Sequence, residues 1–437
     1  MDTGSTAWIL TSTAAVLLMV PGLALFYGGM AGTRSILNMI MMTFGAVAVV
    51  GVLWTVVGYS MAFGDSYGGL GLLGNVTEYI GLGDLMAEDT EATIPPMLFA
   101  IFQALFACIT VALISGALAD RIKFGAWLAL AGLWALLVYF PVAHWVFAFD
   151  SDTAEGGWIA NTLGAIDFAG GTAVHINAGI AALAVVLVLG KRGHFPQPHR
   201  PGNLPLMMLG AGVLWFGWMG FNGGSALAAG NSASVVLMTT FNATCAAMLA
   251  WMLVEKLRDG HATTLGAASG AIAGLVAITP SCGAVTPVGA LILGAVAGLV
   301  CPLAVGLKYK FGYDDALDVV GVHLVGGVVG TLLIGLLASA DAPNGKDGLF
   351  YGGGFGLLGT QAVAAVAVLA YSFVVTFAIA FVLDKTMGLR LEGGVEASGV
   401  DLALHKELAY DHLEIEIMEA VIEVSEEEEP VKEAAEA

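Results

Sequence analysis

Charge is the scarcest ingredient of this chain. Of its 437 residues only 11% are Asp, Glu, Lys or Arg, against 58% hydrophobic. A soluble domain carries about 25% charged residues, so a water-soluble fold is excluded and a polytopic membrane protein is expected. Cysteine is equally sparse. Cys108, Cys245, Cys282 and Cys301 stand singly in or beside apolar runs, without a CxxC pair. They read as small buried hydrophobes rather than a disulfide framework or a metal knuckle. Basic residues number 15 against 35 acidic ones, which leaves little to neutralise phosphates, and nucleic acid is not expected as a partner. The start, "MDTGSTAW", lacks a basic leader region, so the first apolar run is expected to be a membrane helix rather than a cleaved signal.

Long apolar runs are what the chain has in abundance. Runs of about 20 residues suffice to cross a bilayer as helices. Backbone facing lipid must satisfy its own hydrogen bonds, so the expected fold class is an all-α polytopic membrane bundle. Hydropathy and punctuation give eleven transmembrane helices near 7–30, 38–63, 97–119, 124–147, 168–190, 205–228, 233–256, 263–282, 286–307, 320–340 and 359–383. The net charge of −20 is uneven: residues 392–437 hold 15 acidic and 2 basic side chains. Twelve of the 13 remaining basic residues lie in alternate connections, with Lys346 the exception. The positive-inside rule then puts the N-terminus outside and the C-terminus in the cytoplasm. Residues 1–390 form the expected transmembrane domain and 391–437 a cytoplasmic, strongly acidic tail. The run of four glutamates near its end reads as solvated and disordered.

Two stretches break the apolar pattern in the same way. "DFAGGTAVHINAGI" sets Asp167 eight residues before His175, and "DALDVVGVHLVGG" repeats that interval from Asp315 to His323. The pairs fall on the fifth and tenth spans. This suggests five-helix repeats, about 7–190 and 205–340, with an extra helix at about 359–383. An odd number of spans per repeat forces opposite orientations, and such inverted repeats place the substrate path at their interface. The pseudo-two-fold should bring His175 and His323 together. Two neutral imidazoles can share one N–H···N bond and keep their outer nitrogens free. An interhelical hydrogen bond alone is the structural alternative. A zinc site would need three or four ligands, and no third His or Cys lies at ligand spacing. Asp167 and Asp315 each open an apolar helix and can cap its free N–H groups. Near an outer vestibule such a fixed charge would also favour a cation.

Aromatics supply the third feature. In "WFGWMGFNGGSALAAG", Trp218, Phe221 and Ser225 share one helical face. Phe106 and Phe147 come from other segments. Together they could hold a small cation by cation–π attraction and one hydrogen bond, although an isolated aromatic stripe more often packs a core or marks a membrane interface. "GAASGAIAG", with Gly266, Gly270 and Gly274 four apart, reads as close helix packing rather than a phosphate loop.

At this point the segments "PGLALFYGG" (21–29), "DFAGGTAVHINAG" (167–179), "GFNGGSA" (220–226), "GLVAITP" (274–280) and "DDALDVVGVHLVGG" (314–327) resemble the signature stretches of the ammonium transporter family. This is the Amt/Mep branch of the Amt/Mep/Rh superfamily. The resemblance runs from about residue 7 to about 410. It implies a homotrimer in a cell (plasma or inner) membrane, with one pore per subunit. It further implies an outer cation site at Ser225 with Trp and Phe partners, a stacked gate of Phe106 and Phe221, and a twin-histidine pair, His175 and His323. Asp167 matches the vestibular aspartate, and Trp218 and Thr279 match pore-associated positions. Many bacterial relatives are blocked at the cytoplasmic face by a PII-type signalling protein. Two departures stand out. Phe147 occupies a position where the family usually has Trp, losing the indole N–H and the strongest cation–π ring. The loop "AFDSDTAEGGW" that follows is also longer than usual, and Trp145 before it or Trp158 at its end are the candidates to compensate. Lys406 replaces a usual glycine in "LEGGVEASGVDLALHKELAY", and the acidic extension 411–437 follows.

The function expected is recruitment of ammonium, or its analogue methylammonium, at an outer site. Loss of a proton and passage of ammonia through an apolar pore would follow. No cofactor is called for. An ammonium sensor signalling through the tail is the main rival. An intramembrane hydrolase would need a nucleophile or metal set that the sequence does not offer, so an enzyme is not expected.

Overall fold

The computed structural model describes residues 1–87, 92–197 and 200–410; the acidic extension 411–437 lies outside the described residues. In chain order its long helices are α1 (Thr3–Met30), α2 (Ile36–Phe63), α3 (Pro96–Leu118), α4 (Phe124–Phe147), α5 (Gly171–Leu189), α6 (Leu204–Gly224), α7 (Asn231–Asp259), α8 (Thr264–Ile278), α9 (Pro287–Phe311), α10 (Val320–Leu337) and α11 (Gly356–Thr386). All but α8 are long and apolar enough to cross a bilayer, ten in all among the described residues. Strands are absent among the described residues, which hold only three isolated backbone bridges. The chain is a multi-pass membrane protein. The sequence-derived span 263–282 is helical only over the 15 residues of α8. Pro280 has no N–H to return to Val276, so the helix stops and residues 279–284 turn.

Helix ends follow local chemistry. Asp2, Asn203, Thr263 and Thr286 cap α1, α6, α8 and α9 through side-chain oxygens. Gly260 and Gly312 end α7 and α9 in the left-handed region, which glycine enters without a Cβ penalty. In α2, α4, α5 and α10 the ladder slips into a single π-turn, at Trp54–Gly58, Ala135–Tyr139, Gly171–Ile176 and Val320–Leu324. The last two carry His175 and His323. Such turns cluster at functional sites.

Packing rests on close backbone approach. α1 and α6 run antiparallel in contact, and a Cβ on Gly29 would strike the Met207 backbone while one on Gly210 would strike Phe26. Lipid removes the hydrophobic drive between helices, so van der Waals contact of this kind holds them. The glycine series on α8 faces α7: a Cβ on Gly270 would lie 2.7 Å from the Trp251 Cβ, and one on Gly274 2.7 Å from the Ala247 Cβ.

The bundle has two distinct ends. At one, α1 and α3 begin and α6 finishes; Asp2 N–H donates to Thr93 O at 2.8 Å and Ala229 N–H to Ser5 Oγ at 3.2 Å. We call this the Ser225 end. The other is the Asp314 end, where Arg121, Arg192 and Lys308 are buried. Arg192 holds the Asp314 carboxylate with its backbone N–H at 2.7 Å, Nε at 3.0 Å and a terminal nitrogen at 2.8 Å. A second Arg192 nitrogen reaches Asp120 at 3.2 Å. Burial alone would raise the Asp314 carboxyl, but the Arg192 hydrogen bonds and the Arg121 and Arg192 charges outweigh it and hold it below its ordinary value. Two short helices, α12 (Gly393–Ser398) and α13 (Val400–His405), dock on this end. The Asp401 carboxylate accepts the N–H groups of Leu37 (3.0 Å) and Asn38 (2.7 Å), capping α2.

Candidate functional site

α5 and α10 carry the site. At the head of α5 the Asp167 carboxylate accepts N–H groups from Gly170 (2.8 Å), Gly171 (2.6 Å) and Thr172 (2.7 Å), and the Thr172 hydroxyl as well. At the head of α10 Asp315 accepts from Val319 (3.0 Å) and Val320 (2.7 Å). Each cap fixes the start of a helix, and eight residues further on the π-turn presents a histidine. The two histidines meet: Nδ1 of His323 lies 3.3 Å from Nδ1 of His175, with ring centroids 5.4 Å apart and planes 26° apart. Both are buried, at 1% and 3% exposure. One Nδ1 donates and the other accepts, which turns both Nε2 atoms outward. His175 Nε2 is buried without a hydrogen-bond partner.

Around the pair lies a narrow, almost wholly apolar cavity. α1 contributes Met19, Leu23 and Phe26, α3 Ile109 and Leu113, and α6 Leu214, Trp218 and Phe221. Toward the Ser225 end it is closed by Phe106 and Phe221, stacked with centroids 3.9 Å and planes 20° apart. Beyond the stack Ser225 donates its hydroxyl to the Phe221 carbonyl at 2.8 Å. With its hydrogen committed, the Ser225 oxygen is left as an acceptor. Phe147 is half-buried at the same end, its ring tip 3.5 Å from where a Cβ on Gly170 would stand.

Several sequence expectations change. Trp218 shares a helical face with Ser225, yet the structure sets it on the histidine side of Phe221. Its indole stacks on His175 at 5.4 Å and 20°, and its N–H donates to Thr279 Oγ1 at 2.8 Å. Asp315 does not join Asp167 at a vestibule. It is 1% exposed at the Asp314 end, where Lys308 Nζ donates to its carbonyl at 3.0 Å. The helices bearing the two histidines start from opposite ends, so their caps must be far apart. Trp145 does not stand in for a Trp at position 147: its N–H donates to Leu72 O at 2.7 Å and its ring packs on Tyr371 at 4.7 Å, towards α11. Trp158 follows it into that cluster, 5.9 Å from Trp145. The α1 lining and the Arg121–Arg192–Asp314 network were missed by sequence reasoning. The first is ordinary apolar helix, and the second is split over positions 121 to 314.

A family model described as the Ammonium Transporter Family matches residues 7–410. The chain belongs to the ammonium transporter family. Among family members, the ammonium transporter of Mycobacterium bovis is 58% identical over 434 residues, covering 94% of this chain and 91% of its own. That of Aquifex aeolicus is 47% identical over 413 residues, 94% of each chain. Solved structures of the family share the fold. Saccharomyces cerevisiae Mep2 superposes with a TM-score of 0.82 at 35% identity, over 90% of this chain and 88% of its own. A structure titled Sensor Amt Protein superposes at 0.84 with 28% identity, over 92% and 98%.

Proposed function

We propose that the protein carries ammonium across a cell membrane (plasma or inner) by stripping it of a proton and conducting ammonia. One observation supports this most: a hydrogen-bonded histidine pair facing an apolar cavity behind the closed Phe106–Phe221 stack. Ammonium and potassium are alike in size and charge, but only ammonium can shed a proton. Moving a bare ion into hydrocarbon costs on the order of 20 kcal/mol in the Born limit. A cation–π contact returns about 1–2 kcal/mol. The cavity therefore rejects the ion and admits the neutral amine. Ser225, as acceptor, and Phe147, as π face, recruit the cation, with Asp167 adding negative charge at that mouth. Phe106 and Phe221 gate the passage. Ammonia then meets Trp218 and His175, and next His323. In this reading eleven helices cross the membrane as two inverted five-helix repeats plus α11. The Ser225 end faces outward, and residues 391–437 form the cytoplasmic regulatory tail. The assembly is a homotrimer, its cytoplasmic face open to a PII-type regulator.

Current across liposomes tests the filter. Ammonium should carry at least about tenfold more than potassium; parity would sink the deprotonation step. A second reading, an ammonium sensor with little flux, draws on the neighbour titled Sensor Amt Protein. Saturable methylammonium uptake by the reconstituted protein decides for the transporter, and binding without uptake for the sensor.

A further inference from the structure

Thr279 is one of the positions that resemblance ties to the pore, yet its side chain is absent from the cavity lining. It is fully buried behind Trp218. Its hydroxyl donates to the Leu275 carbonyl at 2.7 Å, so the oxygen that remains can only accept. What it accepts is the Trp218 indole N–H, at 2.8 Å. An indole N–H in an apolar cavity needs such a partner, because a buried unpaired donor is costly. The hydroxyl stands at the end of α8, where Pro280 stops the helix, so it cannot follow the indole elsewhere.

The indole so held lies against His175, planes 20° apart, while His323 approaches the same ring from Nδ1 at 3.3 Å. His175 is thus clasped between Trp218 and His323, its ring lining the cavity and its Nε2 buried and unpartnered. The contacts found for the His323 ring include no tryptophan among the described residues. We propose that Thr279 is a positioning residue for conduction. By pinning the Trp218 indole it keeps His175 in the one orientation that bonds His323 and offers Nε2 to ammonia. This inference rests on the ammonia-conduction reading above.

The test uses the full-length protein in liposomes, with methylammonium uptake measured against concentration for the wild type, Thr279→Val, Thr279→Ser, Trp218→Phe and the Val/Phe double variant. Thr279→Val keeps shape but removes the acceptor. Its maximal rate should fall about tenfold while the half-saturating concentration stays within about twofold, since the Ser225 mouth is untouched. Thr279→Ser should return the rate to within about twofold. The double variant should be no slower than either single one, because both break one contact. A Thr279→Val protein of wild-type rate, a loss that Ser does not rescue, or additive losses would overturn the proposal. Should Thr279→Val not fold, Thr279→Ser and Trp218→Phe decide: near-wild-type rate in the first with the tenfold loss in the second supports it, and wild-type rate in both overturns it. Ultraviolet resonance Raman of the indole, taken as wild type minus Trp218→Phe, reads the N–H bond without transport. If wild-type uptake is absent, the conduction reading fails. The geometric claim then stands or falls on whether Thr279→Val abolishes the hydrogen-bonded indole signal.

Discussion

Asp167 and Asp315 each precede a histidine by eight residues, yet the two segments keep different company. Asp167 gathers four backbone N–H groups, the longest from Ala173 at 3.4 Å, and a hydroxyl, and sits half-buried at the Ser225 end. Asp315 takes two N–H groups and is sealed beside Lys308 at the Asp314 end. His175 leans on the Trp218 indole, whereas the ring contact of His323 is with His175 itself. A repeated motif therefore fixes where each histidine goes without fixing what each one does. The half nearer the Phe106–Phe221 stack carries the rigid aromatic backing, and in the proposed path it is the first group that ammonia would meet.

That contrast can be broken at the caps first, where the largest effect is expected. Asp167→Ala strands four N–H groups and should cost on the order of 3 kcal/mol or more, against about 2 kcal/mol for Asp315→Ala. Thermal unfolding in detergent reads both, and equal losses would erase the difference. Next come the rings. His175→Ala should cut methylammonium uptake about tenfold in an ammonium-transport-deficient cell, and His323→Ala by less, since only the first also frees Trp218. Equal rates for the two variants would mean the indole backing is idle. A smaller effect is expected at the mouth. Ser225→Ala should raise the half-saturating concentration about five- to tenfold, at unchanged maximal rate, for one lost hydrogen bond to a cation. The smallest change runs the other way. Phe147→Trp restores the better cation–π ring and should lower the half-saturating concentration about two- to fivefold, roughly 0.5–1 kcal/mol. A higher value would show that the Phe147 ring does not face the cation.

Much of this was legible in the sequence because membranes impose simple rules. Apolar run length announced the helices, and a histidine inside each of two apolar spans announced the centre of the bundle, with the acid eight residues earlier at its helix start. The Phe106–Phe221 stack followed from the resemblance. What stayed hidden depends on three-dimensional closure. A helical wheel puts Trp218 and Ser225 on one face, but seven residues also separate them by about two turns along the axis, enough to leave the gate between them. The π-turns under His175 and His323 have no residue signature, since any run of small apolar residues can slip by one. The fate of Trp145 was set by Leu72 and Tyr371, which lie in other segments entirely.

The cap on α2 has a consequence in time. The N–H groups of Leu37 and Asn38 bond a carboxylate some 364 positions later in the chain. During synthesis α2 leaves the ribosome with those donors open, and they stay open until α11 has been made and residue 401 has folded back. The cap of the second helix is therefore completed almost last. Until then the bundle carries a marker of its own immaturity, which a chain cut short before Asp401 would display permanently.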